Sequence, residues 1–225
     1  RIMTEEDTDE IWKPKTKLGK KVANGQIKSI VAALDEDKPI MEPEIVDQLV
    51  DLDEEVILIG GTPGKGGGIR RTVSKRTARM HKSGARYRSN AMTVLGDKNS
   101  VIGLGTGESD DTRAAIEAAN REAKLNLIKV PKGNGSWEDT GEDDSSIPFA
   151  VTGKSGSVTV ELQPAPRGTG LACSDEVKKV MELAGIQNVW VQTRGNTQTR
   201  ENLTRATFNA LKKLSEMETR EEVTQ

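Results

Sequence analysis

The chain has 225 residues and a formal net charge of −2; glycine contributes 22 residues, but aromatic residues make up only 3%. Its core must therefore be built from Val, Ile, Leu and Ala, which suits two small domains better than one large one. The single cysteine, Cys173, excludes an intrachain disulfide. Because the sequence lacks a signal-peptide pattern and an apolar run of about eighteen residues, we expect a soluble intracellular protein.

The charges are unevenly distributed along the chain. Residues 1–55 carry a net charge of −7, residues 56–96 carry +9 without one acidic side chain, and residues 97–225 carry −4. The middle segment therefore has a positive local field, whatever the sum over the molecule. This bias indicates a polyanionic partner, and an ordinary solvated basic face is the alternative.

The first predicted segment, residues 1–54, is a polar and turn-rich N-terminal extension. Its one apolar-periodic piece, residues 43–52, places four apolar side chains on one helical face: Ile45, Val46, Leu49 and Val50. We expect the rest to lie over another molecule, and a disordered extension is the alternative.

Residues 55–130 are predicted to form a small sheet with one helix packed on it. A short apolar run is followed by a glycine-rich loop at 60–68. Ala115, Ala119 and Ala123 recur at helical spacing in the helix. The predicted order after the loop is strand 69–80, turn 82–84, strand 87–95, turn 96–99, strand 101–104 ended by the glycines at 105–107, and a helix at 112–128 capped by 109–111.

The remainder is predicted to contain a linker loop at 131–146, a second α/β domain at 147–215 and a charged tail at 216–225. The second domain is predicted to contain a strand at 157–162, a stiff turn at 164–170, a helix capped by Ser174 and ended by Gly185, a strand at 188–193 and a helix at 201–214. The fold class is therefore α+β, with a β-β-β-α module followed by a β-α-β-α domain.

The strongest functional signal is the set of cations on the predicted strand–turn–strand. So many cations would repel one another unless a polyanion lies across them, and the guanidinium of Arg can donate two hydrogen bonds to one phosphate. We therefore predict that these residues bind RNA: Arg70, Arg71, Lys75, Arg76, Arg79, Lys82, Arg86 and Arg88.

The glycine-rich loop at 60–68 is superficially similar to a phosphate-binding loop. Lys65 is followed by Gly66 rather than by Ser or Thr, and a basic strand follows the loop where a nucleotide-binding loop needs a helix. We therefore favour a flexible loop that touches an RNA backbone over a nucleotide site.

Residues suited to catalysis or metal binding are sparse. His81 is the only histidine and lies among cations, where a contact to a nucleic-acid backbone is its simplest role. Cys173 precedes a predicted helix, whose N-terminus can lower a thiol pKa, although a small buried side chain is the simpler interpretation. The acidic cluster at 138–144 is predicted to be a solvated loop. We expect no enzyme, metal site or cofactor.

Motifs in both predicted domains follow the order found in one known family. They lie at 71–75 (RTVSK), 82–86 (KSGAR), 91–97 (AMTVLGD), 101–107 (VIGLGTG), 156–158 (GSV), 164–170 (PAPRGTG), 182–185 (ELAG), 188–190 (NVW) and 205–211 (RATFNAL). In this order the sequence resembles the small-subunit ribosomal protein five family. The motifs at 12–19 and 42–46 resemble an extension of its archaeal and eukaryotic branch.

The resemblance implies a double-stranded-RNA-binding-like first module and a structural role in the cytoplasmic small ribosomal subunit. It implies contacts with 16S ribosomal RNA, near the decoding region and the messenger-RNA entry path, and with ribosomal proteins four and eight. It also implies a role in subunit assembly and decoding accuracy. The implied contact with protein four involves Arg167, Gly168, Thr169, Gly170 and Lys178.

Two departures from the family pattern affect these expectations. Glu108 follows Gly107 where the family often has Lys, which weakens the case for a phosphate contact there. Archaeal relatives often carry cysteines where this chain has Asn134, Asp139 and Gly141, so we expect no metal there. The alternative functions are a free double-stranded-RNA-binding regulator and an NTPase built on the loop at 60–68.

Overall fold

A computed structural model describes residues 12–34, 39–138 and 144–216. These residues belong to two compact units, Arg1–Asp51 and Leu52–Gln225. Apart from Glu216, the predicted tail lies outside the described residues, as does most of the acidic cluster at 138–144.

The described residues of the first unit, 12–34 and 39–51, form three short helices where the sequence predicted one. Apolar side chains from all three helices and from the segments between them are buried, so this unit has a small core of its own. The sequence analysis did not predict the first two helices, whereas the predicted apolar face of the last helix is confirmed at Ile45 and Val46. The helices are α1 (Lys17–Ala23), α2 (Ile30–Leu34) and α3 (Pro43–Leu49).

A buried carboxylate joins the start of this unit to its last helix. Glu42 accepts hydrogen bonds from the indole N–H of Trp12 at 3.0 Å and from the backbone N–H groups of Lys15 and Thr16 at 3.0 and 2.6 Å. The Thr16 hydroxyl in turn accepts from the backbone N–H of Gly19 and caps α1. Burial raises the pKa of Glu42, but these hydrogen bonds to the carboxylate outweigh it and hold the pKa below its ordinary value.

The second unit begins with a five-stranded antiparallel sheet and a separate two-stranded hairpin. The elements are β1 (Asp53–Val56), β2 (Gly60–Pro63), β3 (Ile69–Thr72), β4 (Lys75–His81), β5 (Gly84–Gly96), β6 (Val101–Ser109), α4 (Thr112–Leu125) and β7 (Leu127–Lys129). The sheet order is β1-β5-β6-β7, and β4 pairs with the other end of β5; the separate hairpin consists of β2 and β3.

The structure corrects the prediction at the start of this sheet. The predicted strand 69–80 is two strands in different sheets, β3 and β4, separated at Ser74, whose carbonyl accepts a hydrogen bond from the Thr72 hydroxyl at 2.9 Å. The predicted loop 60–68 is also wrong in part, because its first four residues form β2 and pair with β3. The helix predicted to reach residue 128 ends at Leu125, and Leu127–Lys129 pairs with β6.

Strand β6 also continues through the glycines that were predicted to end it. Added Cβ atoms at Gly103, Gly105 and Gly107 would lie 2.0–2.4 Å from backbone carbonyl oxygens of α4. The helix residues above them are alanines, so α4 approaches the sheet more closely than larger side chains would allow. These glycines therefore permit close helix–sheet packing. The alanines are Ala115, Ala119 and Ala123.

The second half of this unit is a four-stranded sheet with two helices. Its order is β10-β11-β9-β8, with β10 and β11 parallel and the other pairs antiparallel. The sequence predicted β9, β11 and both helices but missed β8 and the very short β10. The elements are β8 (Val151–Ser155), β9 (Val158–Pro164), β10 (Leu171–Ala172), α5 (Asp175–Leu183), β11 (Val189–Arg194) and α6 (Arg200–Ser215).

One continuous core joins the two halves of this unit. Met92 and Leu104, on the sheet face opposite α4, belong to the same buried cluster as Met181 of α5. The backbone N–H of Lys98 donates to the carbonyl of Leu183 at 3.0 Å, at the end of α5. The two halves therefore pack as one body.

Candidate nucleic-acid interface

The hairpin formed by β4 and the first residues of β5 projects from the core. Every residue of β4 is exposed, and β5 is first buried at Ser89. The register places Arg79 opposite Arg86 and Thr77 opposite Arg88. The turn lies at Lys82 and Ser83, where the sequence predicted it, followed by Gly84 with a φ of +119°, which favours glycine.

The two faces of this hairpin differ in chemistry, because side chains along a strand point alternately to opposite sides. The cationic face bears Lys75, Thr77, Arg79, His81, Arg86 and Arg88. The stacking face bears Arg76, Ala78, Met80, Ala85 and Tyr87.

Two guanidinium groups oppose one another on the cationic face. Arg79 and Arg86 occupy directly paired positions, and like charges in such positions destabilise a sheet unless an anion lies between them. The segment from 56 to 96 contains no acidic residue that could supply the counter-charge. The cationic face is therefore suited to a ligand that carries several phosphates.

Acidic residues of β6 and of the loop that follows it border the cationic face. Glu108 and Asp110 line a concave surface together with Arg79, Arg86 and Arg88. A Glu108 carboxylate oxygen lies 3.4 Å from a guanidinium nitrogen of Arg88, and both side chains are exposed. One of the predicted RNA-binding cations, Arg88, therefore has a carboxylate neighbour.

The structure does not bring all the predicted RNA-binding residues onto one hairpin. Arg70 and Arg71 belong to β3, and the guanidinium of Arg71 donates to the side-chain oxygen of Gln198 at 2.8 Å. This hydrogen bond connects the β2–β3 hairpin to the turn before α6. The sequence offered no signal for it, because the two residues lie far apart in the chain.

The stacking face carries a contact that the sequence analysis missed. The guanidinium carbon of Arg76 lies 4.0 Å from the centre of the Tyr87 ring. The register that sets Ala78 opposite Tyr87 makes Arg76 a diagonal neighbour of the ring. The alternation of residues could have suggested this pair once the turn at 82–84 was placed.

The residues predicted to contact protein four lie on a turn and on α5. In the turn, Arg167, Gly168 and Thr169 are exposed, and the backbone N–H of Gly170 donates to the side-chain oxygen of Asn188 at 2.9 Å. Lys178 is exposed on α5, and its Nζ lies 3.7 Å from Oε1 of Glu182, one turn further along the helix.

The structure contradicts a lowered thiol pKa at Cys173. Burial raises the pKa of Cys173 to about 11, although the positive charge of Lys178 partly offsets this effect. The side chain is partly buried and packs against the core, which is nearer to the simpler interpretation of a buried small side chain.

The described residues offer neither a metal-binding cluster nor a membrane-spanning helix. Within 12–34, 39–138 and 144–216, no three His, Cys, Asp or Glu side chains are grouped so that they could hold a metal ion. Asn134 lies in this part of the chain, whereas Asp139 and Gly141 lie outside it. None of the described helices is long and apolar enough to cross a membrane.

Comparisons with known proteins agree over most of the chain. The family profile described as ribosomal protein S5, N-terminal domain, matches residues 70–131, and that described as ribosomal protein S5, C-terminal domain, matches residues 153–224. A small ribosomal subunit protein uS5 from Methanothermobacter thermautotrophicus is 44% identical over 213 residues, which cover 94% of this chain and 92% of the relative. The protein of the same name from Ignicoccus hospitalis is 44% identical over 204 residues, 90% of each chain. That from Haloquadratum walsbyi is 40% identical over 209 residues, 92% of this chain and 89% of the relative.

Proposed function

The chain belongs to the ribosomal protein S5 family, and from that premise we propose that it is a structural constituent of the cytoplasmic small ribosomal subunit which binds 16S ribosomal RNA through the β4–β5 hairpin. The relatives are ribosomal structural proteins rather than enzymes. The observation that carries the RNA-binding proposal is the exposed cationic face, in a segment without acidic residues.

Phosphates would supply counter-charge to the cationic face beyond that of Glu108, which lies beside Arg88. Each phosphate neutralised by Lys or Arg releases condensed counterions, so binding gains free energy that falls as the salt concentration rises. Lys75, Arg79 and Arg86 are exposed on this face, and their side chains are long enough to reach a backbone that lies across the hairpin. Arg88 lies on the same face and Lys82 lies in the turn, whereas Arg76 lies on the opposite face and Arg70 on the separate β2–β3 hairpin.

We propose a lesser RNA contact for Arg71, because its guanidinium already donates to Gln198. In this proposal Arg71 holds the β2–β3 hairpin in place while Arg70 and Lys65 face the RNA. The two strands of this hairpin pair with one another and so give it a defined shape, which supports a role in contacting an RNA backbone.

Within the subunit, we propose a position near the decoding region and the messenger-RNA entry path, beside ribosomal proteins four and eight. The proposed contact with protein four is the exposed turn Arg167, Gly168, Thr169 and Gly170 together with Lys178. Because one core joins the two halves of the second unit, RNA bound at the hairpin and a protein bound at this turn would be held at a fixed separation. This is the physical basis on which we propose contributions to subunit assembly and decoding accuracy.

The RNA proposal is tested by replacing Lys75, Arg79 and Arg86 together with Ala and measuring affinity for 16S ribosomal RNA between 50 and 200 mM salt, a range over which phosphate contacts weaken markedly. The dependence of log affinity on log salt should become shallower by about 3, roughly one for each lost contact. The control replaces three exposed cations outside the hairpin, Arg121, Lys154 and Lys212, with Ala. Equal slopes for the two triple variants would contradict the choice of surface.

Assembly is tested by sedimenting a native cell lysate in magnesium and following this chain through the gradient. Migration with the small subunit after a moderate salt wash is the expected result. Free protein near the top of the gradient would favour the alternative of a free RNA-binding regulator. A photo-crosslinker placed at Thr169 in the assembled subunit should capture protein four, and its absence from the crosslinked products would contradict the proposed contact.

A further inference from the structure

The stacking face of the β4–β5 hairpin is exposed although much of it is apolar. Met80 is 79% exposed, and Tyr87 is 49% exposed even though the Arg76 guanidinium lies over its ring. Such side chains gain little by facing water, and they lie next to one another on a projecting element. Their arrangement indicates a ligand that offers flat, polarisable groups.

The charge around this face identifies the class of ligand. The cations of the opposite face would bind an RNA backbone. Because the hairpin is only two strands wide, about 5 Å from strand to strand, the bound RNA would be within reach of both of its faces. Arg76 adds a positive charge to the stacking face itself, which disfavours a basic or purely apolar protein surface. Aromatic rings and guanidinium planes are the groups on which unpaired RNA bases stack.

We propose that the Arg76–Tyr87 pair, bordered by Met80, is a stacking platform for an unpaired nucleotide of the RNA whose backbone lies on the cationic face. This inference rests on the proposed function and adds a second mode of recognition to it. The cationic face binds phosphates of any sequence, whereas the platform prefers an RNA in which at least one base is free to leave its helix.

The test compares two RNAs. One is a duplex of about 20 base pairs, a length near the span of a double-stranded-RNA-binding fold, and the other is the same duplex with one unpaired adenosine in one strand. The full chain should bind the RNA with the unpaired base more tightly. Replacing Tyr87 with Leu keeps the charge and apolar bulk but removes the ring, and should weaken that complex by roughly 5- to 150-fold, the range for one base–aromatic stack. Affinity for the plain duplex and the salt dependence should stay unchanged.

Two further variants make the result specific. Tyr87→Phe keeps the ring and should retain the preference for the unpaired base. The triple variant of Lys75, Arg79 and Arg86 should weaken both complexes equally and flatten the salt dependence. Circular dichroism of each variant verifies that the fold is intact.

A fluorescent adenine analogue at the unpaired position gives a readout of stacking itself. Its emission should fall on binding the wild-type chain and Tyr87→Phe, and should not fall with Tyr87→Leu. If Tyr87→Leu weakened both RNAs alike, or left the preference unchanged, the platform would be refuted while the phosphate-binding role stood. If instead the triple variant did not flatten the salt dependence, the proposed function would fail, and the platform would be judged on the adenine signal.

Discussion

Replacing Gly105 with Ala tests whether the close approach of α4 to β6 holds this domain together. The added Cβ would lie 2.0 Å from the carbonyl oxygen of Ala119 and 2.4 Å from the backbone nitrogen of Ala123. An ordinary contact begins near 3.4 Å, so the helix must move away by about 1.4 Å. Because both neighbouring atoms belong to the backbone, no side-chain rotation can relieve the overlap.

Overpacking a core costs about 1–3 kcal/mol. We expect a value near the upper end, about 3 kcal/mol, because the displaced element is a whole helix with three buried alanines. In a chain of this size, that loss lowers the Tm by about 6–12 °C.

The assay is thermal and urea unfolding followed by far-UV circular dichroism, with Gly66→Ala as the control. No atom lies within 4 Å of an added Cβ at Gly66, and its φ is not in the left-handed region, so its Tm should change little. A Gly105→Ala protein as stable as the Gly66→Ala protein would refute the packing argument.

Three other predictions follow from individual contacts. Replacing Glu108 with Gln removes the carboxylate beside Arg88, so RNA affinity should rise about two- to five-fold at low salt, as for other exposed ion pairs, and less at high salt. Unchanged affinity would show that the Glu108 carboxylate does not compete with RNA for Arg88. The pKa of Glu42 in the folded protein lies below 4.5, so the stability that its hydrogen-bonded carboxylate gives to the first unit should be complete above that pH. This contribution should disappear as the pH falls through the folded pKa, with faster hydrogen exchange at the Trp12 indole. Replacing Glu42 with Gln should abolish the pH dependence. Since its pKa is raised to about 11, Cys173 should react with iodoacetamide at pH 7.5 far more slowly than free cysteine, and equal rates would contradict the assigned burial.

Periodicity and turn residues predicted the β4–β5 turn, β5 and the helices of the second half well. For the two helices the reason is that one face lies in the core and one in water, which leaves a clear pattern. The turn was marked by Ser83 and Gly84. The predicted cap at Ser174 and the helix end at Gly185 agree with the structure, where Gly185 has a φ of +74°. Such signals are local, and local sequence is sufficient to detect them.

Two of the errors arose where a glycine serves tertiary packing. Gly105 and Gly107 were interpreted as the end of a strand, since glycine usually marks a turn, but the helix above them excludes a Cβ. Strand β8 was missed for the same reason, because Gly153 lies beneath Ala206 of α6 and weakens the apolar alternation. The partner that makes these glycines necessary is distant in sequence.

The candidate interface was predicted as a charge pattern but not as a shape. The sequence identified the cations from Arg70 to Arg88, and the placement of the turn would have separated the two faces of the hairpin. It did not predict that Ser74 divides the segment between two sheets or that Arg71 reaches Gln198. It also gave no indication that Trp12 and Glu42 meet, because that contact depends on how the first three helices pack.

A small rotation of the buried part of β5 displaces the exposed tip of the hairpin, because β5 is long. Its thirteen residues run unbroken from the exposed turn into the sheet beneath α4, and its first buried residue is Ser89. The arm beyond that point is roughly 17 Å long, at about 3.3 Å per residue. A rotation of about 5° in the buried part would therefore move the tip by roughly 1.5 Å, enough to break a hydrogen bond to RNA. Mutations under α4, far from any ligand, should thus be able to change where the hairpin reaches.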